Sequence, residues 1–139
     1  MSNISLKFEA RDNRGNNMGD YEMFLDLTST TSDPTNLVFE VPENWSVQAL
    51  KFYQVTEDGH GNFAPSTQKN NDIATLRNGQ PSSFNSVFGS ATTPAGFSFD
   101  NATSTLTDNG QSQGAWEYLV WIQGPSNAND FIDPGIRNH

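Results

Sequence analysis

A chain of 139 residues is one domain of ordinary size, and its formal charge of −9 repels phosphate backbones and anionic membrane surfaces. The seven basic residues are scattered, which excludes nucleic-acid binding as a primary role, and no apolar run approaches the ~20 residues of a membrane helix. The absence of cysteine removes disulfides, thiolate metal sites and cysteine nucleophiles together.

The hydrophobic content is only 34%, yet ten phenylalanines in a 12% aromatic fraction can supply a thin core. Met1–Lys7 lacks a basic region followed by an apolar stretch, so no signal peptide is read there and a cytoplasmic location is expected. Without such a signal the Asn-x-Ser/Thr triplets at Asn3, Asn44 and Asn101 carry little weight.

In chain order, Ile4, Leu6, Phe8 and Ala10 alternate with polar residues, which predicts a half-buried strand over Ile4–Ala10. Asp12–Asn17 reads as a turn, and Tyr21–Leu27 alternates again as a second strand, forming a hairpin or a neighbouring pair with the first. Leu37–Val41 is a short strand stopped by Pro42. Trp45–Glu57 changes phase near Ala49-Leu50, so it either carries a β-bulge there or is covered on both faces, the second being preferred.

Asp58–Asn62 is a turn, and the stretch from there to Thr93 is polar, with Ile73, Leu76, Phe84, Val87 and Phe88 as its anchors. Phe84, Val87 and Phe88 fit helical spacing, but Pro81 and Gly89 limit the length, and Ser82–Phe88 is left between strand and helical turn. Phe97–Phe99 and Thr103–Thr107 read as strands, and Asp108-Asn109-Gly110 as a turn.

The stretch Ala115–Gln123 is the strongest signal. Trp116, Tyr118, Val120 and Ile122 fall on one face, and Leu119 and Trp121 on the other between Glu117 and Gln123, as in a central strand covered on both sides. Phe131, Ile132 and Ile136 add a last edge strand. The whole reads as a single all-β domain over residues 1–139, an antiparallel, immunoglobulin-like β-sandwich of about seven to nine short strands, preferred to a closed barrel.

Reactive chemistry is sparse. His60 lies between two glycines of a turn and reads as solvated, His139 is the last residue, and no Ser-His-Asp order or histidine pair at metal spacing is present. Glu117 is the best-placed carboxylate for a glycosidase-like pair, but an inward-leaning residue paired with Lys or Arg is the preferred reading. Asp12, Asp20, Asp58, Asp108 and Asp130 lie in Asn/Gly-rich segments and read as structural turn acids; no Ca²⁺ loop pattern accompanies them. No catalytic residue, metal ligand or cofactor is therefore assigned. Trp45, Trp116 and Trp121 are the candidate ligand-binding residues, since flat aromatic faces stack on sugar rings.

The closing segment Ile132-Asp133-Pro134-Gly135-Ile136-Arg137-Asn138, after a strand rich in Trp and Tyr, resembles the end of the small bacterial DP-EP family of similar length. The resemblance covers about seven residues and the general layout. It implies a bacterial β-sandwich and carries over no activity and no site residues.

The expected function is accordingly non-enzymatic: a surface presented to an unknown protein partner or to a second copy of the chain, with no nucleic acid and no membrane involved. A carbohydrate-binding module is the alternative and a glycosidase-like enzyme the third. For association, a weak homodimer through the edge of Ile4–Ala10, with Lys7 and Glu9 at the contact, is set slightly ahead of a monomer.

Overall fold

In the computed structural model, residues 2–7, 24–57, 60, 64, 66–89 and 91–139 are described. Nine strands and two short helices occur among them. Strands β1 (Ser2–Lys7), β2 (Phe24–Leu27), β3 (Thr35–Glu40) and β4 (Ser46–Val55) precede helices α1 (Thr67–Leu76) and α2 (Pro81–Phe88). Strands β5 (Phe97–Asp100), β6 (Thr105–Asp108), β7 (Gly114–Gln123), β8 (Asn129–Ile132) and β9 (Gly135–Asn138) follow.

The strands form two sheets. Sheet A has the order β1-β3-β6-β5, and sheet B the order β2-β9-β7-β4, with β8 also paired to β7. Both are mixed: β1 runs parallel to β3 and β2 parallel to β9, and the other pairs are antiparallel. An antiparallel-only sandwich is therefore corrected. The expected pairing of the first two strands is corrected too, since β1 lies in sheet A and β2 in sheet B. Residues 8–10 and 21–23 of those predicted strands, and the turn at residues 12–17, lie outside the described residues.

Alternation decides how the sheets meet. Leu6, Leu37, Phe39, Phe97 and Leu106 of sheet A share one buried cluster with Leu27, Val47, Tyr118, Val120, Ile122, Ile132 and Ile136 of sheet B. Rings cross the interface, with Phe52 tilted against Phe97 at 4.8 Å and Phe39 edge-on to Tyr118 at 6.2 Å. The opposite face of sheet B is covered as well. Tyr53, Leu119 and Phe131 join Leu76, Phe84, Val87 and Phe88 of the helices in a second cluster. Sheet B is thus the middle of three layers, as the two apolar faces of β7 require.

Both readings of the phase change in β4 hold together. The register against β7 shifts between Val47 and Ala49, and beyond it Leu50 and Phe52 face sheet A while Ala49 and Tyr53 face the helices. Helix α1 corrects the reading of residues 67–76 as part of a polar stretch, and α2 resolves Ser82–Phe88, left between strand and helical turn, in favour of helix. Ser66 caps α1 by accepting from the Lys69 amide at 3.2 Å, and Pro81 opens α2, where its missing N–H costs nothing.

The expected last edge strand is two strands: β8, with Phe131 and Ile132, pairs with β7 alone, whereas β9, with Ile136, is interior. β8 and β9 keep one register along β7, and β9 lies between β7 and β2. They are separated by Asp133-Pro134, where proline has no N–H to give, while the Pro134 carbonyl still accepts from the Tyr118 amide at 3.0 Å. No helix among the described residues is long and apolar enough to cross a membrane. Because Ile136 is fully buried inside sheet B, Ile136→Ala is expected to destabilise by about 2–5 kcal/mol in urea denaturation. A loss below 1 kcal/mol, roughly that of an edge position, contradicts this placement.

Candidate functional site

Under α1 the helix-facing side of sheet B turns from apolar to charged. Tyr53 and Glu117 are cross-strand neighbours, and so are Lys51 and Leu119. From the helix above, Lys69 and Asp72 point down one turn apart. The Lys69 ammonium, on a residue only 5% exposed, pairs with Glu117 and lies 3.7 Å from Asp133. Asp72 accepts from the Tyr53 hydroxyl at 2.5 Å and pairs with Lys51 at 2.9 Å. Burial, with the Asp72 bond and charge, pushes the Tyr53 phenol well above its usual range, so Tyr53 stays a neutral donor.

This cluster is a clamp. Each buried charge has an opposite one, and the helix covers the group. Glu117 takes the role expected of it as an inward residue paired with a lysine. Among the described residues no group of three or more His, Asp or Glu side chains is placed to hold a metal ion.

The three tryptophans do not form one surface. Trp116 packs on Phe97 toward sheet A and donates to the Ser112 carbonyl at 3.3 Å. Trp121 lies on the other face of the same strand, against Phe84 and Phe88, and its indole N–H bonds the Asn129 side chain at 2.9 Å. Trp45 rests on Gly124, where any side chain would collide with the indole ring. All three are partly buried, and their rings serve packing at three separate places.

Of the turn acids, Asp12, Asp20 and Asp58 lie outside the described residues, and His60 is exposed. Asp108 and Asp130 are 0% and 1% exposed and each bonds nearby backbone, in keeping with structural acids. Asp130 accepts from the Phe131 amide at 2.8 Å. Asp108 Oδ1 accepts from the Gly110 amide at 2.9 Å and from Asn138 Nδ2 at 3.1 Å. Gly110 has φ +78° and packs on the Ser29 carbonyl, a backbone approach that only glycine permits.

The remaining broad face is the outer side of sheet A. Apart from Thr35 and Asp108 its inward residues are apolar, so the outward ones are those between them. One row runs Asn3, Asn36, Thr107 and Ser98 across four strands, and the next passes through Val38, Thr105 and Asp100. Asn36 ties the first row together, donating to Asn3 Oδ1 at 3.1 Å and accepting from the Thr107 hydroxyl at 2.8 Å. These side chains line an open concavity of about 590 Å³, to which Val38 and Phe99 add the apolar share. Its lining holds one carboxylate, Asp100, and no lysine or arginine.

The strands are legible in the sequence and this site is not. Aromatic platforms stand out by residue type, whereas the face consists of short polar side chains that look like ordinary solvent-facing positions. Only the pairing of four strands separated in sequence brings them together.

No protein-family model matches the chain, and no curated protein does either.

The clamp under α1 yields a direct expectation. Lys69→Met leaves Glu117 and Asp133 without their buried cation and should destabilise by about 3–5 kcal/mol in chemical denaturation. Adding Glu117→Leu should restore much of that loss. Equal stability of the single variant and the wild type would show the cluster to be solvated.

Proposed function

We propose that this chain is a non-enzymatic binding domain working through the outer face of sheet A, and that its ligand is uncharged and rich in hydroxyls, a carbohydrate chain. The observation that carries this reading is the concavity with its lattice of amides and hydroxyls across four strands. Such groups both donate and accept, as sugar hydroxyls do, and Val38 and Phe99 offer apolar surface to C–H groups. Without a cation in its lining the face has nothing to recruit a phosphate or a sulfate.

This reading keeps the carbohydrate alternative but moves it from the tryptophans to the polar face. The immunoglobulin-like topology, the kinship with the DP-EP family and a cytoplasmic location belong to the same proposal. The three-layer arrangement supports it too: packed helices cover the far side of sheet B, and no described helix covers this face.

Self-association is the second reading, favoured by β1, a six-residue strand at the edge of sheet A. Light scattering at high micromolar concentration tests it. A monomer in both low and moderate salt removes this branch, whereas a dimer abolished by Lys7→Pro supports it.

For the principal reading, titration calorimetry against a panel of neutral oligosaccharides should find at least one that binds. Asn36→Ala combined with Thr107→Val should weaken that binding roughly tenfold or more, since each lost hydrogen bond is worth about 0.5–1.5 kcal/mol. Trp121→Phe should leave it unchanged. Failure of every oligosaccharide at millimolar concentration, or binding that survives the double substitution, overturns the assignment.

A further inference from the structure

We propose that Asp108 is a neutral carboxylic acid in the folded protein, joined to the Asn138 carboxamide as a proton-dependent latch between the two sheets. Asp108 ends β6 in sheet A and Asn138 ends β9 in sheet B, so their contact spans the sandwich. The Asn138 orientation is fixed by its donors: Nδ2 gives one hydrogen to Asp108 Oδ1 at 3.1 Å and one to the Ser112 carbonyl at 2.9 Å. Its Oδ1 is then an acceptor, buried and without a hydrogen-bond partner among the described residues, and so is Asp108 Oδ2.

Two acceptor oxygens cannot satisfy one another, and a buried polar atom left unpaired is costly. A proton on Oδ2 turns one of them into a donor. An acid and a carboxamide then form a closed pair, N–H to carboxyl oxygen and O–H to amide oxygen.

The surroundings favour that neutral form. On β3 the residue opposite Asp108 is Thr35, which shares a hydrogen bond with Ser29, and on β5 it is apolar Phe97. Gly110 and Ser112 of the following loop contribute backbone groups only. From β7 comes Tyr118, a titratable neighbour whose buried hydroxyl also has no hydrogen-bond partner among the described residues and whose own proton is held on chiefly by burial. No cation among the described residues offsets an Asp108 anion. Burial raises its carboxyl above the usual 3.8, outweighing the two donors on Oδ1.

Because the folded state holds this proton more tightly than the unfolded chain, its contribution to stability is complete below pH 3.8 and declines as pH climbs toward the folded value. The latch closes in acid and loosens toward neutrality. Other carboxylates titrate in the same range, so the signal is the difference between wild type and Asp108→Asn, which carries no such proton.

The melting-temperature advantage of wild type over D108N should shrink by at least about 3 °C between pH 4 and pH 7. Infrared difference spectra at about pH 5, where exposed aspartates are ionised, should show a protonated-carboxyl band in wild type alone. A flat temperature difference together with a carboxylate band would overturn the latch. Should D108N fail to fold, carbon-13 titration of aspartyl carboxyls in wild type decides. One carboxyl still protonated at about pH 5 supports the proposal, and complete ionisation by that pH defeats it.

Discussion

Strand β7 sets the terms for the rest of the molecule because neither of its faces can be left in water. Tyr118, Val120 and Ile122 on one side and Leu119 on the other are all fully buried. Each such side chain contributes about 1.5–3 kcal/mol when removed from water, and a single opposing sheet reaches only half of them. Sheet A takes one face and the paired helices take the other. The polar outer side of sheet A follows from the same constraint. With sheet B in the middle, sheet A needs apolar residues on its inner side alone, and its outer positions are left for amides and hydroxyls.

The helix layer meets sheet B with two kinds of contact. Toward Trp121 and Phe131 it offers the aromatic rings of α2, and toward Glu117 and Asp133 the charges of α1. The apolar part supplies most of the stabilisation, since desolvating ions offsets much of their attraction. The charged part supplies placement. Lys69 and Asp72 must both meet their partners at once, and a helix rotated or slid along the sheet would strand buried charges. The motif Asp133-Pro134 belongs to this arrangement, for it interrupts the ladder where the carboxylate reaches Lys69.

What the sequence disclosed and what it hid follow from how each element is stabilised. The double-sided burial of β7 was legible because its apolar residues occur at both parities, and β4 carried the same signature beside its bulge. Helix α1 was not legible. Its inward stripe is Lys69, Asp72, Ile73 and Leu76, so half of the buried face is charge and no hydrophobic period stands out. In α2 the spacing of Phe84, Val87 and Phe88 was visible, but the eight residues Pro81–Phe88 are too few to separate helix from strand by pattern. Parallel pairing of β1 with β3 and of β2 with β9 leaves no local mark, because it depends on crossovers. The candidate face failed for a related reason, being made of residues from four strands whose neighbours are set only by topology.

The position of β9 also governs time. Among the described residues it is the only neighbour of β2 in sheet B, and more than a hundred residues of chain separate the two. Sheet B therefore cannot be completed in the order of synthesis: β2 waits for a strand made more than a hundred residues later. Until then its backbone groups and one edge of β7 are exposed together, a state in which such edges pair with other chains. Non-local closure of this kind is intrinsically slow. The net charge of −9 repels other copies during that interval, which opposes such pairing while β9 is still to be made.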